Sequence, residues 1–312
     1  MTPRAMRDEM IVFAVMAVLL AIVPFTGIYP FFVMQALCFA LLACAFNLLI
    51  GYGGLLSFGH AMFLGTAGYV SAHALKVWGL PPELGIVVGT AAAALLGLVT
   101  GYISIKRQGI YFSMITLALA QMAFFFSLQA PFTGGEDGIQ AVPRGNLFGL
   151  VGLADDRVLY AVVALIFFGG MLLIYRIIHS PFGQVLKAIR ENEPRTTSLG
   201  YKTDDYKLLA FILSGTLAGF AGSLKVFVAQ NASLTDVHWS MSGEIVLMTL
   251  VGGLGTIFGP VVGAFVIIAM QQYLAGFGQW VTVIQGVIFV ACVLLFRRGL
   301  VGELAHLLRR SL

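Results

Sequence analysis

Long apolar runs alternate with short polar breaks along the whole chain. The runs cover residues 10–27, 31–50, 57–75, 84–105, 110–128, 158–178, 206–229, 257–273 and 279–296, with a shorter one at 243–251. A helix needs about 20 apolar residues to cross a hydrocarbon core of about 30 Å. The pattern therefore predicts an all-α polytopic membrane protein of about ten transmembrane segments, one of them short and broken. Two breaks are rich in glycine: Gly51-Tyr52-Gly53-Gly54-Leu55-Leu56-Ser57-Phe58-Gly59 and Gly252-Gly253-Leu254-Gly255-Thr256. Such backbone implies positive φ or close approach, and at membrane depth it survives only inside protein or beside a wet cavity. The two breaks also echo each other. Gly53-Gly54-Leu55, Ser57 and Gly59 resemble Gly252-Gly253-Leu254, Thr256 and Gly259, the last pair one residue out of register. This suggests a parallel repeat, although a chain with 37 glycines also produces such matches by chance.

The densest polar break is Ser180 to Tyr201, SPFGQVLKAIRENEPRTTSLGY. Ser180-Pro181 is an N-cap followed by proline at the first helical position. A helix over about 182–191 puts Phe182, Val185, Leu186 and Ile189 on one face. Asn192 or Glu193 with Pro194 starts a second short helix, and Gly200 ends it. The apolar face needs a protein partner. That partner is a separate subunit, with Arg190, Glu191 and Glu193 as the charged rim, or the chain itself.

Composition agrees with the pattern. The chain is 59% hydrophobic and 10% charged, with mean hydropathy +0.95, where soluble domains carry about 25% charged residues. Its first apolar run lacks a small-residue cleavage site and reads as a retained span. Cys38, Cys44 and Cys292 lie in apolar runs without metal-ligand spacing and read as small core residues.

The positive charges orient the chain. With both termini cytoplasmic, Arg4, Arg7, Lys106, Arg107, Arg176, Lys187, Arg190, Arg195, Lys202, Lys207, Arg297, Arg298, Arg309 and Arg310 lie inside. Lys76, Arg144 and Arg157 lie outside, as the positive-inside rule expects. Parity then makes residues 243–251 a crossing, although about nine residues rise only about 14 Å. That is the pattern of a discontinuous helix at a transport pathway. Tyr29, Trp78, Trp239 and Trp280 fall at the outer interface in this arrangement.

Polar residues inside spans are candidates for function. Asn47, His60 and Gln121 qualify, and Thr116 shares a helix face with Gln121. With Gly53, Gly54, Ser57, Gly252, Gly253 and Thr256 they form the candidate translocation pathway. The competing reading of the histidine and the amides is helix-packing hydrogen bonds. Lys225 and Glu244 would ease each other's burial if they met. No Walker A, HExxH, CxxC or catalytic triad pattern occurs, so ATP hydrolysis and membrane enzymology have no residues to carry them. An ion-coupled secondary transporter usually needs a cluster of intramembrane carboxylates, and only Glu244 is near a span interior.

Asn47–Gly65, Gly109–Gln121, Thr133–Gly138, Ser180–Tyr201 and Ser242–Gly263, in that order, resemble the permeases of bacterial branched-chain amino acid ABC importers, most closely the LivM type. The resemblance spans about residues 40 to 300 and implies an ABC importer permease architecture, one transmembrane domain over 1–312. It implies that the loop at 180–205 docks on ATPase subunits through Phe182, Leu186, Ile189, Arg190, Glu191, Glu193 and Gly200. A second permease or another copy of this one, an extracytoplasmic binding protein and the bacterial inner membrane are implied too; nucleic acid is not. No cofactor is expected in this chain, since ATP would be bound by the partners. The solute implied is leucine, isoleucine or valine, with urea, short amides or other amino acids as alternatives. The chain departs from the broader importer coupling pattern, a glutamate followed by two alanines, because Pro194-Arg195 follows Glu193. Glu136 in the TGGEDG segment leaves that segment's ligand role open.

Overall fold

The computed structural model describes residues 3–307 except 26, 28, 150, 279 and 296–298. Gln279 and Phe296, at the ends of the last predicted span, and Arg297, Arg298, Arg309 and Arg310 lie outside the described residues, as do the side chains of Arg4 and Arg7.

Helices follow the apolar runs. They are α1 (Pro3–Ile22), α2 (Pro30–Asn47), α3 (His60–Lys76), α4 (Pro82–Ser104), α5 (Ile110–Gln129) and α6 (Asp156–His179). After the polar helices α7 (Pro181–Glu191) and α8 (Glu193–Ser198) come α9 (Thr203–Ala229), α10 (Trp239–Gly252), α11 (Gly259–Leu274), α12 (Trp280–Leu295) and α13 (Gly299–Leu307). Among the described residues, five helical segments are long and apolar enough to cross a membrane, namely Pro30–Tyr52, α4, α5, α6 and α9. Shorter apolar helices accompany them, and the chain is an all-α polytopic membrane protein in architecture.

The second span forms the hub. Its window is 89% buried inside the protein, against 28% for α5 at the rim. In a bilayer no hydrophobic drive pulls helices together, so close packing must do so. The small-residue runs provide it. A Cβ on Gly222 of α9 would lie 2.2 Å from the Leu64 carbonyl oxygen of α3, and one on Gly219 would lie 2.1 Å from Ala93 Cβ of α4. Cys38 and Cys44 are buried in the same core and Cys292 is half-buried, as expected of apolar-run cysteines.

Two polar ends emerge. At one end Ser113 Oγ donates to the Leu56 carbonyl at 2.7 Å, Arg190 donates to that of Gly51, and a Cβ on Gly299 would strike Gly253 Cα at 2.4 Å. At the other, Ile139 and Ala232 exchange backbone hydrogen bonds of 2.9 Å. There Lys76 Nζ also donates to the Gln140 carbonyl at 2.7 Å, and Arg144 pairs with Asp156 at 2.7 Å. Lys187, Arg190, Arg195, Lys202 and Lys207 lie on or between α7, α8 and the start of α9, at the first end.

One expectation is corrected and two open points are filled in. The short segment is longer than residues 243–251. His238 caps α10 by accepting from Ser240 N at 3.3 Å, which draws residues 239–242 into the helix. Fourteen residues rise about 21 Å, so less of the crossing is left to irregular chain. The connection at 130–157 contains a small hairpin of β1 (Asn146–Leu147) and β2 (Val151–Gly152), paired antiparallel with Asn146 opposite Gly152. Phe148 and Gly149 turn it at φ 52° and 70°. Finally, Lys225 does not pair with Glu244. Its ammonium meets Asp236, while Glu244 accepts from Gln271 Nε2 at 2.9 Å.

Candidate functional site: the junction of the two glycine breaks

The helical hub does not end cleanly at Asn47. It passes into one turn of π-helix, Leu48–Tyr52, a form that recurs at functional positions. That widening carries Gly51 up to the second break. A Cβ on Gly51 would lie 2.2 Å from Asn47 Oδ1 and 2.8 Å from Gly255 N, so only glycine lets the two backbones meet.

Asn47 closes the contact with both ends of its amide. Nδ2 donates to the Thr256 carbonyl at 2.8 Å, and Gly255 N donates to Oδ1 at 3.0 Å. The second break is held from within. Thr256 Oγ1 donates to the Gly253 carbonyl at 2.8 Å and accepts from Gly259 N at 3.1 Å. In the first break Ser57 Oγ accepts from Gly59 N at 3.1 Å. Each hydroxyl orders the turn that launches the next helix, α3 or α11.

The polar helices lie over this junction. Ser180 Oγ caps α7 by accepting from Gly183 N at 3.3 Å, and Asn192 Oδ1 caps α8 by accepting from Arg195 N at 3.0 Å. Both starts match the sequence reading, and Gly200, at φ 91°, provides the stop. The strongly amphipathic α7 presses its apolar face inward. Leu186 is 0% exposed and reaches within 3.5 Å of where a Gly53 Cβ would stand. Ile189 is also buried. Arg190 packs its stem on Gly54 (φ 70°) and donates to the Gly51 carbonyl.

Of the two partners that the spacing left open, most of the apolar face takes its own chain. Leu186 and Ile189 are consumed by their own chain, and Phe182 stacks on Tyr206 with ring centroids 5.8 Å apart. Glu193 is no free rim charge either. Buried Lys207 holds it at 2.7 Å and takes Asp204 at 2.9 Å, pinning α8 to α9. Among the residues that α7 and α8 leave exposed are Gln184, Ala188, Arg190, Glu191, Pro194, Arg195, Thr197 and Ser198, followed by Leu199 at 71% exposure and Tyr201. Leu199 and Tyr201 escaped the sequence reading because they follow the helices rather than repeat along one; their signal was two apolar side chains flanking Gly200.

Of the predicted pathway residues, Asn47, Gly53, Gly54, Gly252, Gly253 and Thr256 converge here, with Ser57 in the same loop. Gly53 itself has an ordinary φ of −95°. The strict need for glycine lies at Gly51, at Gly253 (φ 122°) and at Gly252, where a Cβ would lie 1.9 Å from the Gly259 carbonyl oxygen. His60 stands elsewhere, fully buried between Phe46 and Phe63. Ser214 Oγ donates to the Ala45 carbonyl at 2.6 Å, so it must accept from His60 Nε2 at 2.8 Å. That is the helix-packing role. Gln121 is half-buried on α5, apart from the junction.

Asn47→Leu keeps the volume and removes both amide bonds, leaving Gly255 N–H and the Thr256 carbonyl without their partner. Each such loss costs about 1–3 kcal/mol. The variant is expected to lose most solute uptake in reconstituted vesicles and to melt several degrees lower. Wild-type uptake would remove Asn47 from the site.

Comparison with known proteins places this junction in context. The family model described as "Branched-chain amino acid transport system / permease component" matches residues 28–295. The high-affinity branched-chain amino acid transport system permease protein LivM of Escherichia coli K12 is 26% identical over 287 residues, covering 84% of this chain and 67% of LivM. The probable branched-chain amino acid transport permease protein LivH of Methanocaldococcus jannaschii is 28% identical over 273 residues, covering 79% and 82%. The autoinducer 2 import system permease protein LsrC of Klebsiella pneumoniae is 26% identical over 221 residues, covering 66% and 60%. No solved structure matches. With the family model spanning both glycine breaks, the polar helices between them and most of the membrane core, the chain belongs to the permease components of branched-chain amino acid transport systems.

Proposed function

We propose that this chain is the membrane-spanning subunit of an ABC importer in the bacterial inner membrane. It passes leucine, isoleucine or valine, or a related small polar solute, handed over by an extracytoplasmic binding protein. The observation that carries the reading is the junction in a chain of this family: two helix breaks clamped together by Asn47 and covered by a polar helix pair on one end of the bundle. Two-state coupling needs an element that touches both sites, and α7–α8 touches the breaks on one face and is open on the other. About ten crossings put both termini in the cytoplasm, with residues 180–205 as the coupling loop of one permease domain. The ATPase sits on Glu191, Arg195, Leu199 and Tyr201. ATP is bound by those partner subunits, and a second permease, or a copy of this one, completes the pathway. The chain is a transport subunit, not itself an ATPase.

The relative named for autoinducer 2 import keeps solutes other than amino acids in view. An ion-coupled secondary transporter is the second class. Glu244, hydrogen-bonded to Gln271, is the one carboxylate on α10, α11 or α12.

Vesicles holding the assembled complex should accumulate leucine only with binding protein outside and ATP inside. Accumulation driven by a proton or sodium gradient without ATP would favour the second class. A cysteine at exposed Glu191 should be labelled from the cytoplasmic side alone, and one at Asp155 from the outside alone. Labelling of both from one side would overturn the orientation.

A further inference from the structure

A groove of about 370 Å³ runs between the second half of α1 and the first half of α6, at the end of the bundle opposite α7. Its walls are Ala17, Ala21, Ala161, Ala164, Leu165 and Phe168, and Leu165 is 76% exposed. Arg157 and Tyr160 carry the only polar side-chain groups in the lining. Tyr160 is committed. Pro24 has no N–H to offer the Leu20 carbonyl four residues back, and the Tyr160 hydroxyl donates to that carbonyl at 2.7 Å. Arg157 is not committed. Asp156 pairs with Arg144 at 2.7 Å, and Asp155 accepts from the backbone N–H of Arg157 at 2.9 Å. The Arg157 guanidinium has no hydrogen bond or ion pair among the described residues.

Size and polarity select the occupant. From Arg157 to Phe168 the groove follows α6 for a rise of about 16 Å. That is one leaflet of a hydrocarbon core about 30 Å thick. Ordered water needs several polar partners, and the apolar walls offer none. The four alanines would admit a helix as well as an acyl chain. The unpaired cation decides between them. A helix would have to bring a carboxylate to that depth, whereas every glycerophospholipid carries a phosphate at the head of its chains. An arginine also meets a phosphate with two parallel N–H donors.

We propose that this groove seats one phospholipid of the adjoining leaflet. Its phosphate accepts from the Arg157 guanidinium, and one acyl chain lies along the alanines between α1 and α6. The lipid fastens the end of α1 to α6 beside the Tyr160 hydrogen bond. The site rests on the chain spanning a bilayer, whatever it transports. That the leaflet is the outer one rests on the orientation proposed above.

The test uses the purified full-length chain, delipidated in detergent. It is titrated with dioleoylphosphatidylglycerol, dioleoylphosphatidylethanolamine and dioleoylglycerol, and bound lipid is counted by native mass spectrometry. Both phospholipids are expected to fill one saturable site. Dioleoylglycerol has the chains without the phosphate and should bind about fivefold more weakly, the worth of one cation beside a lipid phosphate. Arg157→Gln should bring both phospholipids down to the dioleoylglycerol level. Ala161→Trp fills the groove and should abolish the saturable site for all three. Arg157 and Ala161 are exposed, so neither substitution should move the thermal midpoint measured without lipid. Equal affinity for phosphatidylglycerol and dioleoylglycerol, or wild-type phospholipid binding by Arg157→Gln, overturns the site. Unchanged lipid binding by Ala161→Trp overturns it too. If that variant instead loses a self-association seen in wild type, the groove is a seat for a helix and the proposal falls. None of these readings involves solute import, so failure of the importer reading is told apart from failure of the lipid site.

Discussion

Leu186→Asp is expected to eliminate the folded permease, while Leu199→Asp leaves it folded and detaches the ATPase. Both residues lie on the same polar excursion, and both are apolar, but their surroundings differ. Leu186 is fully buried against Gly53 at the glycine junction. Exchanging it for aspartate forfeits about 1.5–3 kcal/mol of side-chain burial. It also places a carboxylate with no partner in an apolar pocket, for several kcal/mol more. The sum approaches the whole stability of a typical domain, about 5–15 kcal/mol. Leu199 is 71% exposed, so its substitution should change stability by about 0.5 kcal/mol or less. Its effect falls on whatever covers it, where a central apolar anchor outweighs rim charges. The measurements are monodispersity and thermal midpoint of the purified chain, then co-purification of the ATPase. A Leu186→Asp protein with a wild-type midpoint, or a Leu199→Asp protein that still retains its ATPase, would reverse the assignment.

The sequence displayed the caps and the breaks because those depend on neighbours in the chain. Ser180-Pro181, Asn192 and Gly200 act within a turn of themselves, and each holds its predicted place. The apolar runs likewise foretold α4, α5, α6 and α9 to within a few residues. What could not be read was which partner an apolar or charged face takes. A helix face of Phe182, Leu186 and Ile189 is the same string whether it covers a foreign subunit or its own core. The answer depends on Gly53 and Gly54, more than 120 residues earlier, being bare enough to receive it. Asn47 was visible as a polar residue in a span, but its partners at Gly255 and Thr256 are about 200 residues away. His60 shows the converse. Its place in a glycine-rich break suggested a pathway, and Ser214 from α9 turns it into packing. The short run was read from residue 243 because Ser240 and Ser242 interrupt the apolar pattern, while the helix start is set by the His238 cap.

Lys225→Met is expected to destabilise the chain by about 3–5 kcal/mol, the usual loss when one member of a buried ion pair is removed. Lys225 lies on α9, and its partner Asp236 lies in the short 3₁₀ turn Leu234–Asp236 that follows it. Their side chains are 12% and 8% exposed, so solvent does little to screen them. The ammonium also lies 5.9 Å from the Phe39 ring centroid on α2, which ties the turn to the hub. Removing the cation strands Asp236 as an uncompensated buried charge. Lys225→Met with Asp236→Leu removes both charges, and well-packed apolar replacements of buried pairs are often neutral. The double variant should therefore recover to within about 1–2 kcal/mol of wild type by thermal midpoint. Uptake separates two roles for the pair. If it is only a clamp, the double variant recovers transport together with stability. If its charges meet the solute at the end of the bundle opposite α7, the double variant is stable and inactive. A single variant as stable as wild type would show that the pair is not a clamp.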